Sequence, residues 1–431
     1  MSKRIRAGKS AALAVLSVCA CALAAGAGAA VQKARPAAAN PKTAAVREAT
    51  AEVLRETSEL RRLPVLRQVR SGAQTRAEIE QMLVRNLDES ATPEQAAAEE
   101  ARMKKFGLAP ADFQPRPFLV KLLTEQVAGY YDPRTQEFYL ADWVEPEGQR
   151  PVMAHELTHA LQDQHFDLRR LQSWPRHDSD AELAAHALVE GDASYLMTQY
   201  LLRDPARQLA FLKSMMSGGA AASEQIEKAP RALREKMLFP YLQGITWVAQ
   251  VYKQGGWEAV SAAYENLPKS TEQVFHEEKY RANELPQKVA VRDLSPSLGR
   301  GWRMADHDVQ GEFGCYILLD EHLRSTDVSR RAAAGWGGDR YALFLGPRKT
   351  DVVVALKTAW DTEPDAREFF DAYVRRTTRR YGVEPAEVAP AGRQLWRTAE
   401  GVVVVERKGG AVVIIEGVPD GLDAEALAKS L

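Results

Sequence analysis

Residues 152–163 read Val-Met-Ala-His-Glu-Leu-Thr-His-Ala-Leu-Gln-Asp. His155 and His159 are four positions apart, so on a helix both imidazoles leave one face, about a turn from each other, and can share a metal ion. Glu156 is offset by about 100° around such a helix. Its carboxylate can then take a proton from a water that the metal activates, without becoming a ligand itself. Zinc with two imidazoles, an open position for water and a carboxylate base is the equipment of hydrolysis. The other face, Met153, Leu157, Ala160 and Leu161, is apolar, so the helix is expected to be amphipathic. The competing reading is a surface helix with solvated His and Glu. Against it, five of the eight histidines crowd between 155 and 186.

A hydrolytic zinc site needs a third protein ligand. The segment from Asp178 to Tyr195 predicts a helix of small residues in which Glu182, His186 and Glu190 recur every four positions. Neighbouring candidates lie ~6 Å apart along the axis, so one metal takes one of them. His186 would complete an all-histidine triad. Gly191 permits close helix approach beside Glu190, and Asp192 is at hand to orient a ligand. A solvated stripe is the plainer reading of any of the three taken alone.

These groups must be delivered by a folded scaffold, and the composition supplies one. The 431 residues are 45% hydrophobic and 27% charged, which predicts two or three domains and excludes a wholly disordered, collagenous or polytopic membrane chain. Lys and Arg (57) balance Asp and Glu (58), which argues against nucleic acid as the partner. Residues 1–30 run from a basic stretch through a short apolar run to small residues, the order of a secretory signal peptide, with a mature N-terminus expected between about 28 and 34. The chain is therefore expected to be exported, to a bacterial periplasm, envelope or exterior, with no membrane span after cleavage. A lipid anchor at Cys21, within Val18-Cys19-Ala20-Cys21, is the minority reading. Cleavage would leave Cys315 alone, with no disulfide.

A linker at 31–45 should lead into a helix at 46–63, a strand at 64–70, two helices opened by the capping boxes Thr75-Arg-Ala-Glu78 and Thr92-Pro-Glu-Gln95, and a hairpin at 127–131 and 136–141. Residues 151–290 read as mostly helical, with breaks at Pro230, Pro240 and Gly255-Gly256. After Ser295 the pattern predicts helices at about 308–324 and 326–334, strands near 340–346 and 352–360, a helix at 364–380 capped by Thr362, and strands near 393–398, 401–407 and 411–416. The expected fold class is α+β: a catalytic domain at 46–290 and an accessory α+β domain with a mainly antiparallel sheet at 300–431.

The His155-Glu156-x-x-His159 motif followed by Val189-Glu190-Gly191-Asp192 resembles the gluzincin branch of the zincin metallopeptidases. Together with Tyr130-Tyr-Asp-Pro133, the run from His155 to His165, Ser270-Thr-Glu-Gln-Val-Phe-His276 and Gly335-Trp-Gly-Gly-Asp-Arg340, it is similar to exported bacterial metallopeptidases without an assigned substrate. The resemblance implies a zincin-like domain holding one zinc ion per chain through His155, His159 and Glu190, with Glu156 as general base cleaving peptide bonds. It also implies that a strand bordering the cleft, 136–141, pairs with an extended peptide. Thermolysin-like relatives carry an Asp four residues after the ligand Glu; Ser194 stands there, leaving Asp163 or Asp192 to orient a ligand imidazole. His276, Tyr195 and Tyr131 are candidates to stabilise the oxyanion, each with a purely structural alternative. His165, His177, His307 and His322 read as structural or exposed. The motif constrains the metal chemistry better than the substrate, so a non-protein envelope amide or ester, and a catalytically silent zinc fold, are the competing functions.

Overall fold

The computed structural model describes residues 42–172, 177–386 and 392–431, the side chains of Gln172 and of residues 215–225 excepted. The expected signal peptide, Cys19, Cys21 and most of the linker lie outside the described residues. The linker's last residues, from Thr43, are already helical.

Helix α1 (Thr43–Arg61) leads to strand β1 (Arg70–Gln74), helices α2 (Arg76–Ser90), α3 (Pro93–Lys105) and α4 (Pro115–Gln126), and the hairpin of β2 (Gly129–Asp132) and β3 (Glu137–Ala141). Thr75 and Thr92 each close a reciprocal capping box, with Glu78 and Gln95, satisfying backbone donors that a helix start otherwise leaves unpaired. The strand expected at 64–70 begins only at its last residue. Val65 and Leu66 are exposed, and the backbone N–H groups of Leu66 and Arg67 donate to the Gln164 side chain rather than to a ladder.

The three strands are ordered β1-β3-β2, with β1 parallel and β2 antiparallel to β3. β3 therefore has partners on both sides, which corrects the expectation that 136–141 offers an edge to a peptide. β1 and β2 are the two edge strands, and on β2 the Tyr131 N–H turns away from the ladder toward Glu156.

A helical block follows: α5 (Arg150–Phe166), α6 (Arg169–Gln172), α7 (Ser179–Leu202), α8 (Pro205–Lys228), α9 (Arg231–Ala263), α10 (Thr271–Phe275) and α11 (Glu277–Arg281). α9 runs through Pro240 and kinks instead at Gly255 and Gly256, whose φ and ψ are not helical. Helices α7 and α9 cross where Gly191 meets Gly244.

The C-terminal region comprises α12 (Ser295–Leu298), β4 (Arg303–Asp308), α13 (Gly311–Leu323), α14 (Thr326–Ala333), β5 (Trp336–Leu345), β6 (Val352–Trp360), α15 (Glu363–Tyr381), β7 (Arg393–Thr398), β8 (Gly401–Lys408), β9 (Ala411–Val418) and α16 (Ala424–Lys429). Its six strands, β4-β5-β6-β9-β8-β7, are antiparallel throughout. The period of two sorts their side chains. Leu343, Val354, Val403 and Ile414 join the main core with α13 and α15, whereas Phe344, Val353, Val404 and Ile415 pack on the other face with Leu298 and Leu427. The fold is α+β.

The main core runs without interruption from Val46 to Ile414. Phe239 of α9 packs on Phe313 of α13, ring centroids 4.6 Å apart. The connection between the two regions is itself fastened to β5, since Gln287 donates its N–H to the Gly337 carbonyl at 2.7 Å. Gly338 allows that approach: a Cβ there would lie 2.4 Å from the Gln287 carbonyl oxygen. Among the described residues, no helix is long and apolar enough to cross a membrane.

Candidate metal centre

Helix α5 is interior rather than amphipathic. Every residue from Pro151 to Asp163 is buried, the polar face as well as the apolar one. Buried polar groups need partners, and α7 supplies them. Asp178 caps α7 by accepting the Ala181 N–H, and the alanines at 181, 184, 185, 187 and 193 keep the helix slim enough to lie within the core. Gly191 then lets α9 approach α7 at the level of Glu190.

His155 Nε2, His159 Nε2 and Glu190 Oε2 come together there. The two nitrogens are 3.0 Å apart, and the Glu190 oxygen lies 3.2 Å from His155 and 3.5 Å from His159. All three ligand atoms fall within 4.8 Å of one another, in residues that are buried. Ligands bonded at about 2.0 Å around a tetrahedral zinc are separated by about 3.3 Å, so the observed spacing and the N,N,O donor set fit that ion. His186 and Glu182, further toward the N-terminus of α7, are only partly buried and do not join the group.

Burial alone would raise the Glu190 carboxyl and lower the His159 imidazole, but their mutual charge and hydrogen bonding outweigh it. Glu190 is held well below the usual carboxylate range, and His159 is lifted to about 9. In the metal-free protein the pair therefore favours a charged His159 beside a charged Glu190 below about pH 9.

Glu156, on the next position of α5, is fully buried, and its Oε2 accepts the Tyr131 N–H at 3.0 Å. Tyr131 thus meets the site through its backbone. Its hydroxyl donates to Asp163 Oδ2 at 2.9 Å, so these two groups engage each other. Asp163 orients Tyr131 and accepts the Leu168 N–H, not a ligand imidazole, and burial pushes its carboxyl up. Asp192 is buried and also one step removed: it bonds Gln162, and Gln162 Oε1 lies 2.8 Å from His159 Nδ1. Ser194 is buried with no hydrogen-bond partner for its hydroxyl among the described residues. Tyr195 packs its ring against Tyr252 and Trp257. His276 is engaged by Glu312 of α13 at 3.0 Å, a tie between the two regions rather than a member of the group.

Four residues that the sequence did not single out surround the group. Gln162 carried one usable signal, its position three residues after His159. Arg61, Tyr264 and Tyr241 carried none. Arg61 and Tyr264 both bond Asp192, and Tyr241 lies nearly parallel to the His155 ring at 6.2 Å between centroids.

No curated protein and no solved structure matches the chain. Residues 300–428, the region of the antiparallel sheet, match a family described as a domain of unknown function (DUF8575).

Proposed function

We propose that the chain is an exported bacterial zinc metallopeptidase of zincin-like architecture, holding one zinc ion through His155, His159 and Glu190 and hydrolysing peptide bonds in a peptide or protein substrate. The observation that carries this reading is the convergence of those three buried donors beside Glu156. Zinc so held would polarise the scissile carbonyl and bring the pKa of water toward ~7.

The remaining work falls to the protein's own groups. Glu156 takes the proton of the attacking water and returns it to the leaving amine. The Tyr131 N–H holds one carboxylate oxygen, so the base is aimed before substrate arrives. Closed protein around α5 keeps bulk water from the group, which strengthens each electrostatic contact.

The reading is tested by incubating the protein with an unfolded protein and, separately, with cell-wall material, each with and without chelator, and identifying products by mass spectrometry. Chelator-sensitive peptide fragments support it. Products from the cell-wall material alone would move the activity to an envelope amide or ester.

A further inference from the structure

The two imidazoles of the group are anchored unequally. His155 has its Nδ1 buried with no hydrogen-bond partner among the described residues. His159 Nδ1 lies 2.8 Å from Gln162 Oε1, and Gln162 cannot turn around. Its amide nitrogen donates to the Val189 carbonyl at 3.1 Å and to Asp192 Oδ2 at 3.0 Å, both of which only accept. A reversed amide would set oxygen against two oxygens. Gln162 therefore presents its carbonyl oxygen to His159, and that oxygen requires a proton on Nδ1. In a neutral ring the lone pair is then on Nε2, the atom facing Glu190 and His155.

Asp192 is just as constrained. Arg61 grips it with two parallel bonds, Nε to Oδ1 at 2.7 Å and Nη2 to Oδ2 at 3.1 Å, and the Tyr264 hydroxyl donates to Oδ2 at 2.9 Å. Both members of that ion pair are fully buried. Arg61 is the last residue of α1, so a helix that contributes no ligand closes a chain of contacts ending on one.

We infer that Gln162 is a positioning residue for His159, and that Arg61 and Asp192 hold it in the orientation that leaves His159 Nε2 free for a metal. This rests on the reading of His155, His159 and Glu190 as a metal site. Partners of this kind fix the tautomer and ring orientation of a ligand histidine, and their loss typically costs about 10–100-fold in metal affinity.

Zinc titration of the wild type and of Gln162→Met tests it. Methionine keeps the length of the side chain and removes both its donor and its acceptor. The variant should bind zinc about 10–100-fold more weakly, and the rise in Tm on adding zinc should shrink to match. In zinc-loaded wild type the His159 Nδ1–H should appear as a slowly exchanging proton in 1H–15N spectra, and in the variant it should exchange fast. A packing defect alone would lower Tm equally with and without zinc and leave the Kd unchanged; that result overturns the inference. If Gln162→Met does not fold, Gln162→Asn, which withdraws the amide by one methylene, carries the same expectation. The paired change Arg61→Met with Asp192→Leu removes the clamp but leaves Val189, and should weaken zinc binding less than Gln162→Met does. Failure of the two readings is separable. A wild type that binds no zinc removes the metal site and the inference together, whereas a wild type and a Gln162→Met variant that bind zinc equally remove only the role of Gln162.

Discussion

Gly191 and Gly244 touch backbone to backbone: a Cβ built on Gly191 would stand 2.3 Å from the carbonyl carbon of Gly244. The neighbour is main chain, which cannot swing aside. Gly191→Ala would gain about 1 kcal/mol of helix propensity in an open helix. Here the overlap dominates, at a cost of about 1–3 kcal/mol or more. Because Glu190 is the adjacent residue, the variant should lose zinc affinity along with Tm. Thermal melts and zinc titration check both, and an unchanged zinc Kd would mean that the crossing does not position Glu190.

Glu156→Gln keeps the size of the side chain and removes the base. It should retain about one zinc per chain and lose about 10²–10⁴-fold in peptide hydrolysis. His155→Ala should lose the metal as well. Full activity in Glu156→Gln would exclude general-base catalysis by this residue.

Glu190→Ala should weaken zinc binding far more than Glu182→Ala or His186→Ala, since only Glu190 of α7 joins the two histidines. Metal analysis after dialysis ranks the three variants. Tight binding in Glu190→Ala with weak binding in His186→Ala would redraw the site as an all-histidine triad.

Metal and proton compete at His159. Its pKa is raised to about 9 in the metal-free fold, so zinc entering below that pH must displace a proton. Affinity should therefore fall toward tenfold per unit as pH drops below about 9, and calorimetry in buffers of different ionisation enthalpy should register about one proton released per zinc near neutral pH. The stability that the raised imidazole lends the metal-free protein has the opposite sense. It is fully present below about 6.5, the ordinary histidine value, and fades as pH rises through about 9.

In the C-terminal region Glu416 is buried against Arg376 and Arg380 and accepts hydrogen bonds from Tyr373 and Tyr381. Burial opposes its charge, but the two guanidiniums outweigh it and hold the carboxyl at about 2. Its stabilisation is thus present above the ordinary Glu value and is lost as pH falls through about 2. Glu416→Ala leaves the fully buried Arg376 without a carboxylate partner, while Arg380 keeps Glu400, and should cost about 3–5 kcal/mol in denaturant unfolding. Zinc stoichiometry of the molecules that remain folded should not change.

Local signals were legible where the chain satisfies itself over a few residues. Thr75 with Glu78 and Thr92 with Gln95 form the capping boxes their spacing predicts, Thr362 caps its helix as expected and adds a reciprocal bond with Asp365, and Lys408-Gly409-Gly410 joins β8 to β9 with Gly409 at positive φ. The spacing of His155, Glu156 and His159 belongs to the same class, because one turn of helix brings the two imidazoles together. What escaped depends on distant chain. β1 begins later than its apolar run implied because Gln164 takes the backbone donors of the preceding segment. Arg61 reaches Asp192 across 131 residues, and Tyr264 reaches it across 72. No local periodicity encodes such pairings. The interior placement of α5 was hidden for a related reason: its polar face is covered by groups from other helices, not by water.

The uninterrupted core ties the stability of the two regions to each other. A chain ending near residue 290 would leave Phe239 and Phe275 facing water where Phe313 now covers them, and His276 without Glu312. Its counterpart starting at 300 would lack Gln287, the residue fastened to β5. Each region thus covers apolar surface of the other, so a cut between them would expose core on both sides and lower the stability of both parts.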